Sequence, residues 1–242
     1  MKLKRFIVPF TDDKRMIYAK EYLEKHGFES TNSNEYADFV LLPVPAKDDM
    51  FAGLENKLVF YGMGNYKNGY DYMKYESYVL KNAFLTAEGA VTLIEETVPY
   101  SFYGTDVLII GYGRIGKALH NILKGYGADI TVCSRSKASK DEAIFNGAKH
   151  INFEKLKSDN KAQIIFNTVP HMVLTKNELS ALKKDAVILD LSSFPGGVDT
   201  LVADSLGLTV LNGRRMPSRY TEKTAGYLIG EAVSDIIEEE LT

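Results

Sequence analysis

"DVLIIGYGRIG", residues 106–116, is an apolar run that turns directly into Gly111, Gly113 and Gly116, spaced Gly-x-Gly-x-x-Gly. The run predicts a strand, and the pattern over 113–125 behind it predicts a helix. Strand, glycine turn and helix together are how a doubly wound α/β fold holds a dinucleotide. Each glycine has its own task. Gly111 permits the tight turn, Gly113 lets a pyrophosphate approach the backbone, and Gly116 lets the helix lie close to the strand. Arg114 and Ile115 complete the turn as further cofactor-binding candidates. The helix N-terminus offers unpaired N–H groups and a partial positive charge to the phosphates. A strand–helix turn without a ligand is the alternative, and the flanking strand and helix weigh against it.

The next strand, "DITVCS", ends in Cys133-Ser134-Arg135-Ser136. Chains that bind NAD place an Asp or Glu about 20 residues beyond the glycine turn, to hold the ribose 2′-hydroxyl. No acid stands here. A carboxylate would repel the 2′-phosphate of NADP, whereas an arginine between hydroxyls would hold it. Ser134, Arg135 and Ser136 therefore point to NADP(H); the alternative is a solvated loop arginine and a loosely read adenosine.

Further along, "FNTVPHM" (166–172) and "LDLSSFPGGVD" (189–199) end two more strands. Ligands of doubly wound sheets sit beyond the carboxyl ends of the strands. That makes Asn167, Thr168, Val169, Pro170, Ser192 and Ser193 candidates for the cofactor's reactive half. His171 is a candidate acid or base, or an incidental loop histidine. The segment "NGRRMPSRYTEKTAG" (212–226) concentrates Arg214, Arg215, Arg219 and Lys223, with Thr224 beside them. It is either an anion site for an acidic substrate or a solvated basic loop. "LTAEGAVTLIEETVP" (85–99) predicts a helix with Thr86 as N-cap, Glu88 in its first turn and Pro99 at its end.

In the first third, "RFIVPF", "DFVLLPVP" and "KLVFYG" predict strands, and 12–26 predicts a helix closed by Gly27. The stretch 61–78, with six tyrosines, predicts loop and irregular structure, its rings either filler or part of a cleft wall. The tail from Thr221 to Glu240 predicts one helix with Ala225, Leu228, Ile229, Ala232 and Ile236 on one face. The fold class expected is α/β. A doubly wound parallel (Rossmann) sheet over 99–220 joins a smaller α/β domain over 1–98, on which the helix 221–242 packs back.

At 242 residues with 45% hydrophobic content, the chain has material for such cores. Its net charge of −3 argues against a nucleic-acid partner. The single Cys133 excludes an internal disulfide and suits a reducing compartment. No stretch approaches the ~20 apolar residues of a membrane span, and "FIVPF" is too short for a signal-peptide core. A soluble, cytoplasmic protein is expected, with no metal site, no membrane partner and assembly as a homo-oligomer.

The series "NAFLTAEGA" (82–90), "GYGRIG" (111–116), "CSRS" (133–136), "FNTVPHMVL" (166–174), "ILDLSSFPGGVD" (188–199) and "EKTAG" (222–226) resembles the dipicolinate synthase A family in order and spacing. The resemblance covers 82–240; the first third matches only through "LLPVPA" (41–46) and "VFYGMGN" (59–65). It implies a two-domain oxidoreductase that oxidises dihydrodipicolinate, a small dicarboxylate, to dipicolinate with NADP+ during spore formation. It also implies a flavoprotein-like partner, dipicolinate synthase B. Thr86 and Glu88 match the family's helix start at the cleft, with Glu88 a possible proton acceptor or merely a first-turn helix stabiliser. The 212–226 segment would serve the substrate carboxylates.

Three departures stand out. The family's Gly-Gly-Asp-x-Arg turn is replaced by a chain reading Phe10-Thr11-Asp12-Asp13-Lys14. Phe194 stands where the family usually has Arg before Pro-Gly-Gly. "RRMPSRYTE" replaces a Gly-Leu-Pro-Gly stretch. Loss of an arginine at a dicarboxylate site removes a charge-assisted contact of about 1.5–3 kcal/mol. Two other readings remain: an NADP-dependent 2-hydroxy-acid dehydrogenase of related architecture, and a non-catalytic nucleotide-sensing module.

Overall fold

Strands and helices alternate along the chain and sort into two wholly parallel sheets. The computed structural model describes residues 3–158 and 161–241. One unit takes the chain up to Leu85 and again from Pro217; the other takes Thr86–Met216.

The first unit opens with β1 (Arg5–Ile7), α1 (Lys14–Lys25), β2 (Glu29–Ser30), β3 (Phe39–Leu41), β4 (Leu58–Tyr61) and β5 (Gly69–Asp71). Its sheet order is β2-β1-β3-β4-β5. Phe39 binds three strands together: its ring stacks on Phe6 of β1 at 5.6 Å and meets Phe60 of β4 edge-on at 5.2 Å. Asp13 caps α1, its side chain accepting from the Arg15 N–H at 3.0 Å. Such a cap satisfies one of the helix's orphan donors.

The tyrosine-rich stretch 61–78 is more ordered than the sequence predicts. It holds β5, a 3₁₀ turn over Tyr72–Lys74 and the start of α2 (Glu76–Thr97). Tyr72 is fully buried and donates to the Leu42 carbonyl at 3.1 Å, with Tyr78 edge-on to it at 5.2 Å. These two rings are core. Because α2 starts at Glu76, Thr86 is not its N-cap and Glu88 is not in its first turn. The division between the units falls inside α2, at Leu85/Thr86, and not after Val98.

The second unit continues with β6 (Asp106–Ile110), α3 (Arg114–Gly125), β7 (Asp129–Cys133), α4 (Lys137–Phe145) and β8 (Lys149–Ile151). Then come β9 (Ile164–Asn167), α5 (Lys176–Ser180), β10 (Val187–Asp190), α6 (Thr200–Ser205) and β11 (Thr209–Asn212). The order β11-β10-β9-β6-β7-β8 is the doubly wound arrangement, with its reversal between β6 and β9. Val107, Leu108, Ile109 and Ile110 are at most 1% exposed. Helices on both faces of a parallel sheet bury its strands completely, which is why β6 reads as an unbroken apolar run. Cys133, at the end of β7, is buried, and burial pushes its thiol up to about 12.

The chain ends with α7 (Met216–Tyr220) and α8 (Glu222–Glu240). The latter lies against α1 at backbone distance. A Cβ on Gly226 would stand 2.4 Å from the Arg15 carbonyl oxygen, and one on Gly230 would stand 2.8 Å from Tyr22. Lys14–Glu222 at 3.2 Å and Lys81–Glu231 at 2.8 Å flank the contact. No helix among the described residues is long and apolar enough to cross a membrane.

Candidate functional site

The glycine turn joins β6 to α3 at the switch point of the second sheet. Gly111 has φ +93°, and a Cβ there would sit 2.3 Å from Thr168 Oγ1 and 3.0 Å from Val169. Thr168 is itself fixed, donating through both N–H and Oγ1 to the Ile110 carbonyl at 2.9 Å. Gly116 is excluded from bearing a side chain by the Gly111 carbonyl, 2.3 Å from its Cβ position. Gly113 differs. A Cβ on it meets nothing within 4 Å, so the protein's own packing does not require a glycine there. As N-cap of α3 it makes no side-chain cap, and no acid stands in the first turn of that helix. Open space beside bare backbone at a helix N-terminus fits a pyrophosphate.

Ser134, Arg135 and Ser136 follow β7 and line a cavity of about 420 Å³ with Lys137, Lys140, His150, Ile151, Asn152 and Lys155. Four of these side chains are cationic and none is acidic. Sequence reasoning found the three central residues and missed Lys137, Lys140, His150 and Lys155. The two α4 lysines follow Ser136 within the first turns of that helix, whereas His150 and Lys155 reach Arg135 only because β8 pairs with β7. The Arg135 guanidinium lies over the Phe153 ring at 5.8 Å. Ser136 caps α4, its hydroxyl oxygen accepting from the Ser139 N–H at 3.0 Å. Ser134 is buried, with its hydroxyl 3.0 Å from His150 Nε2. Burial, and then Lys140, holds His150 below its ordinary pKa.

The ends of β9 and β10 are knit together by Asp190, which sequence reasoning passed over. Its Oδ1 accepts from Asn167 Nδ2 at 2.8 Å and Ser192 Oγ at 2.6 Å; its Oδ2 accepts from the Gly197 N–H at 3.1 Å. Asn167 is 0% exposed and Ser192 2%. Their side chains join the two loops through Asp190. Gly197 lets those loops close: a Cβ there would lie 2.2 Å from Asn167 Nδ2 and 2.6 Å from the Val169 carbonyl. The surface is left to Pro170, His171 and Ser193, all exposed, with Thr168 and Val169 half-buried. The signal that could have found Asp190 is a carboxylate ending an apolar strand, one residue short of two serines.

Thr86 is buried inside α2 and Glu88 is exposed on it. Arg214 and Arg215 are exposed, and the Arg214 guanidinium lies over the Phe194 ring at 5.8 Å. Arg215 holds a left-handed backbone, φ +60°. In the first unit, Arg219 lies 5.3 Å over Tyr220, and Lys223 stands above Tyr18 and Tyr227 at 6.0 and 5.6 Å. Thr224 is exposed beside it. Among the described residues no three His, Cys, Asp or Glu side chains gather to hold a metal ion.

The family model for the D-isomer specific 2-hydroxyacid dehydrogenase NAD-binding domain matches residues 81–193. That match supports a nicotinamide dinucleotide as cofactor and oxidoreductase chemistry. Dipicolinate synthase A of Bacillus subtilis is 31% identical over 159 residues, 65% of this chain. The match takes in 54% of that protein's length. The crystal structure of dipicolinate synthase A from Bacillus halodurans superimposes with a TM-score of 0.86 at 20% identity, covering 98% of each chain. That of the Bacillus subtilis protein gives 0.85 at 23%, covering 99% of this chain and 97% of that one. At such identities the two structures speak for the fold. In sequence over most of its length, and in fold over nearly all of it, the chain resembles dipicolinate synthase A.

Proposed function

We propose that the chain is an NADP-dependent oxidoreductase that converts dihydrodipicolinate to dipicolinate. The observation that carries the cofactor half is the cavity at the end of β7, where Arg135, Lys137, Lys140 and Lys155 gather and no carboxylate does. A 2′-phosphate is the part of NADP that such a set would hold, while Gly111, Gly113 and Gly116 receive the pyrophosphate. Bound NADP+ supplies a hydride acceptor. Dihydrodipicolinate becomes aromatic by losing a hydride from one ring carbon and a proton from its neighbour. Glu88 and His171, both exposed, are the candidates to take that proton.

Two substrate carboxylates require cationic partners. Where the resemblance leads one to expect an arginine before Pro-Gly-Gly, this chain has Phe194, and Arg214 lies over that ring. We assign Arg214 the carboxylate contact that the missing arginine would make, with Arg215, Arg219, Lys223 and Thr224 as the remaining candidates. Assembly with the flavoprotein-like dipicolinate synthase B and with further copies of the chain belongs to the same reading.

The test is a binding titration with NADPH and NADH on wild type and Arg135→Ala, followed by turnover of dihydrodipicolinate read from NADPH absorbance. Arg135→Ala is expected to weaken NADPH by about 10- to 100-fold, the loss of one charge-assisted contact, and to leave NADH unchanged. Equal weakening of both nucleotides would overturn the NADP assignment. The match to the 2-hydroxyacid dehydrogenase domain favours a second reading, reduction or oxidation of a 2-hydroxy acid. Turnover of 2-hydroxy acids with none of dihydrodipicolinate would select it.

A further inference from the structure

Beneath the glycine turn lies a pair of ionisable side chains that the proposed chemistry does not use. Tyr112 stands between Gly111 and Gly113, yet its side chain turns inward and is only 6% exposed. Its hydroxyl lies 2.7 Å from Nδ1 of His120, which is 1% exposed on α3. Lys117–Glu142 at 2.8 Å and Lys124 Nζ to the Asn146 carbonyl at 2.8 Å tie α3 to α4 on either side. The hydroxyl thus anchors the turn to α3, and α3 in turn is held to α4. Those helices present the phosphate-binding N–H groups and, through Lys137 and Lys140, the cationic cavity.

We propose that Tyr112 and His120 are a positioning pair that holds the backbone of the glycine turn for a dinucleotide while His120 is neutral. The inference rests on the dinucleotide reading of this turn. Neutral His120 accepts the Tyr112 O–H at Nδ1. On protonation Nδ1 becomes a donor, the O–H loses its acceptor, and a charge enters a buried site beside Lys124 and Lys117, with Glu142 the acid nearby. Burial, and then Lys124, already holds His120 below its ordinary pKa, so the neutral form is the one present at pH 7. Neither side chain touches the ligand; each acts through the Gly111–Gly113 backbone.

The experiment follows NADP+ affinity from pH 5.5 to 8 in wild type, His120→Asn and Tyr112→Phe, with thermal unfolding at each pH. Titration of the 2′-phosphate and of His150 is common to all three proteins and cancels in the differences. Wild type is expected to lose a further two- to tenfold in affinity, about one hydrogen bond's worth, as pH falls through the His120 midpoint. His120→Asn keeps an acceptor near the Nδ1 position without titrating, so it should match wild type at pH 8 and lack this extra loss. Tyr112→Phe should be weaker at every pH and lack it too.

A second measurement needs no variant to fold well. Because linkage is reciprocal, saturation with NADP+ should lower the His120 midpoint, read by proton NMR, by roughly 0.3 to 1 pH unit. Parallel pH profiles in wild type and His120→Asn, or a midpoint unmoved by NADP+, overturn the positioning role while leaving nucleotide binding intact. No binding of NADP+ or NAD+ by wild type at any pH overturns the dinucleotide reading, and this proposal with it.

Discussion

Gly111 and Gly113 stand two residues apart and resist substitution for opposite reasons. Gly111→Ala forces a side chain into a φ of +93° and against Thr168 Oγ1. Backbone strain and overpacking together are expected to remove about 2–5 kcal/mol of stability, measurable by urea unfolding. Gly113→Ala meets no protein atom within 4 Å. It should cost at most about 1 kcal/mol, as an inferior N-cap. Its effect belongs in binding: NADP+ affinity should fall tenfold or more, about 1.4 kcal/mol. Unchanged affinity in Gly113→Ala would remove the pyrophosphate from this turn. The turn itself was legible from spacing alone, because it, its strand and its helix are contiguous. The cationic cavity was only half legible. Arg135 announces itself by the absence of an acid, but His150 and Lys155 are assembled by strand order, which no local pattern encodes.

Single elements add a different kind of test. Asp190→Ala leaves buried donors on Asn167 and Ser192 unpaired, at a cost of about 1–3 kcal/mol in urea unfolding. It should also loosen the loops after β9 and β10. In α5, Thr175 and Glu178 form a capping box, the carboxylate accepting from the Thr175 N–H at 3.0 Å. Burial raises the Glu178 pKa, but the bonds from Thr175 outweigh it and hold the group below 4.5. A depressed carboxylate contributes stability that is present above the unfolded value and lost as pH falls through the folded one. Glu178→Gln should therefore be less stable than wild type at pH 7, with the two unfolding curves converging below pH 4.5. Of α2 only the second half was legible in sequence. Its first turns, Glu76-Ser77-Tyr78, carry tyrosine and polar residues in place of the aliphatic contrast that marks Ala87, Ala90, Val91 and Ile94. The short β2 and β8 were missed because Glu29-Ser30 and Lys149-His150-Ile151 contain no apolar run.

At the scale of the molecule, two parallel sheets of different winding are strung on one chain, and each carries a switch point. In the first unit it falls between β1 and β3. There Arg15 bridges the two following loops, bonded to Asp13 at 2.6 Å and to the Val44 carbonyl at 2.8 Å. That unit is completed by a helix from the far end of the chain, seated through Gly226 and Gly230. Gly226→Leu would drive a side chain into the α1 backbone and is expected to cost about 1–3 kcal/mol in urea unfolding. No change in the midpoint would mean that α8 can slide on α1. The α/β class and the parallel sheets were legible from alternation of apolar runs with helical patterns. That the last helix packs back on the first unit was expected from the sequence; its seat on α1 was not, since a small residue on a helix face does not name the surface it meets.

Cys133 offers one practical consequence. It is the chain's single thiol, sealed at the end of β7 beneath the cationic cavity and held protonated up to about 12. A thiol-specific reagent can reach it only when the second sheet opens, so its labelling rate under native conditions is a built-in gauge of that opening. A nucleotide bound to the closed form should slow labelling by the factor 1 + [L]/Kd. The same cysteine could therefore measure cofactor affinity without any substrate, product or optical signal from the nucleotide.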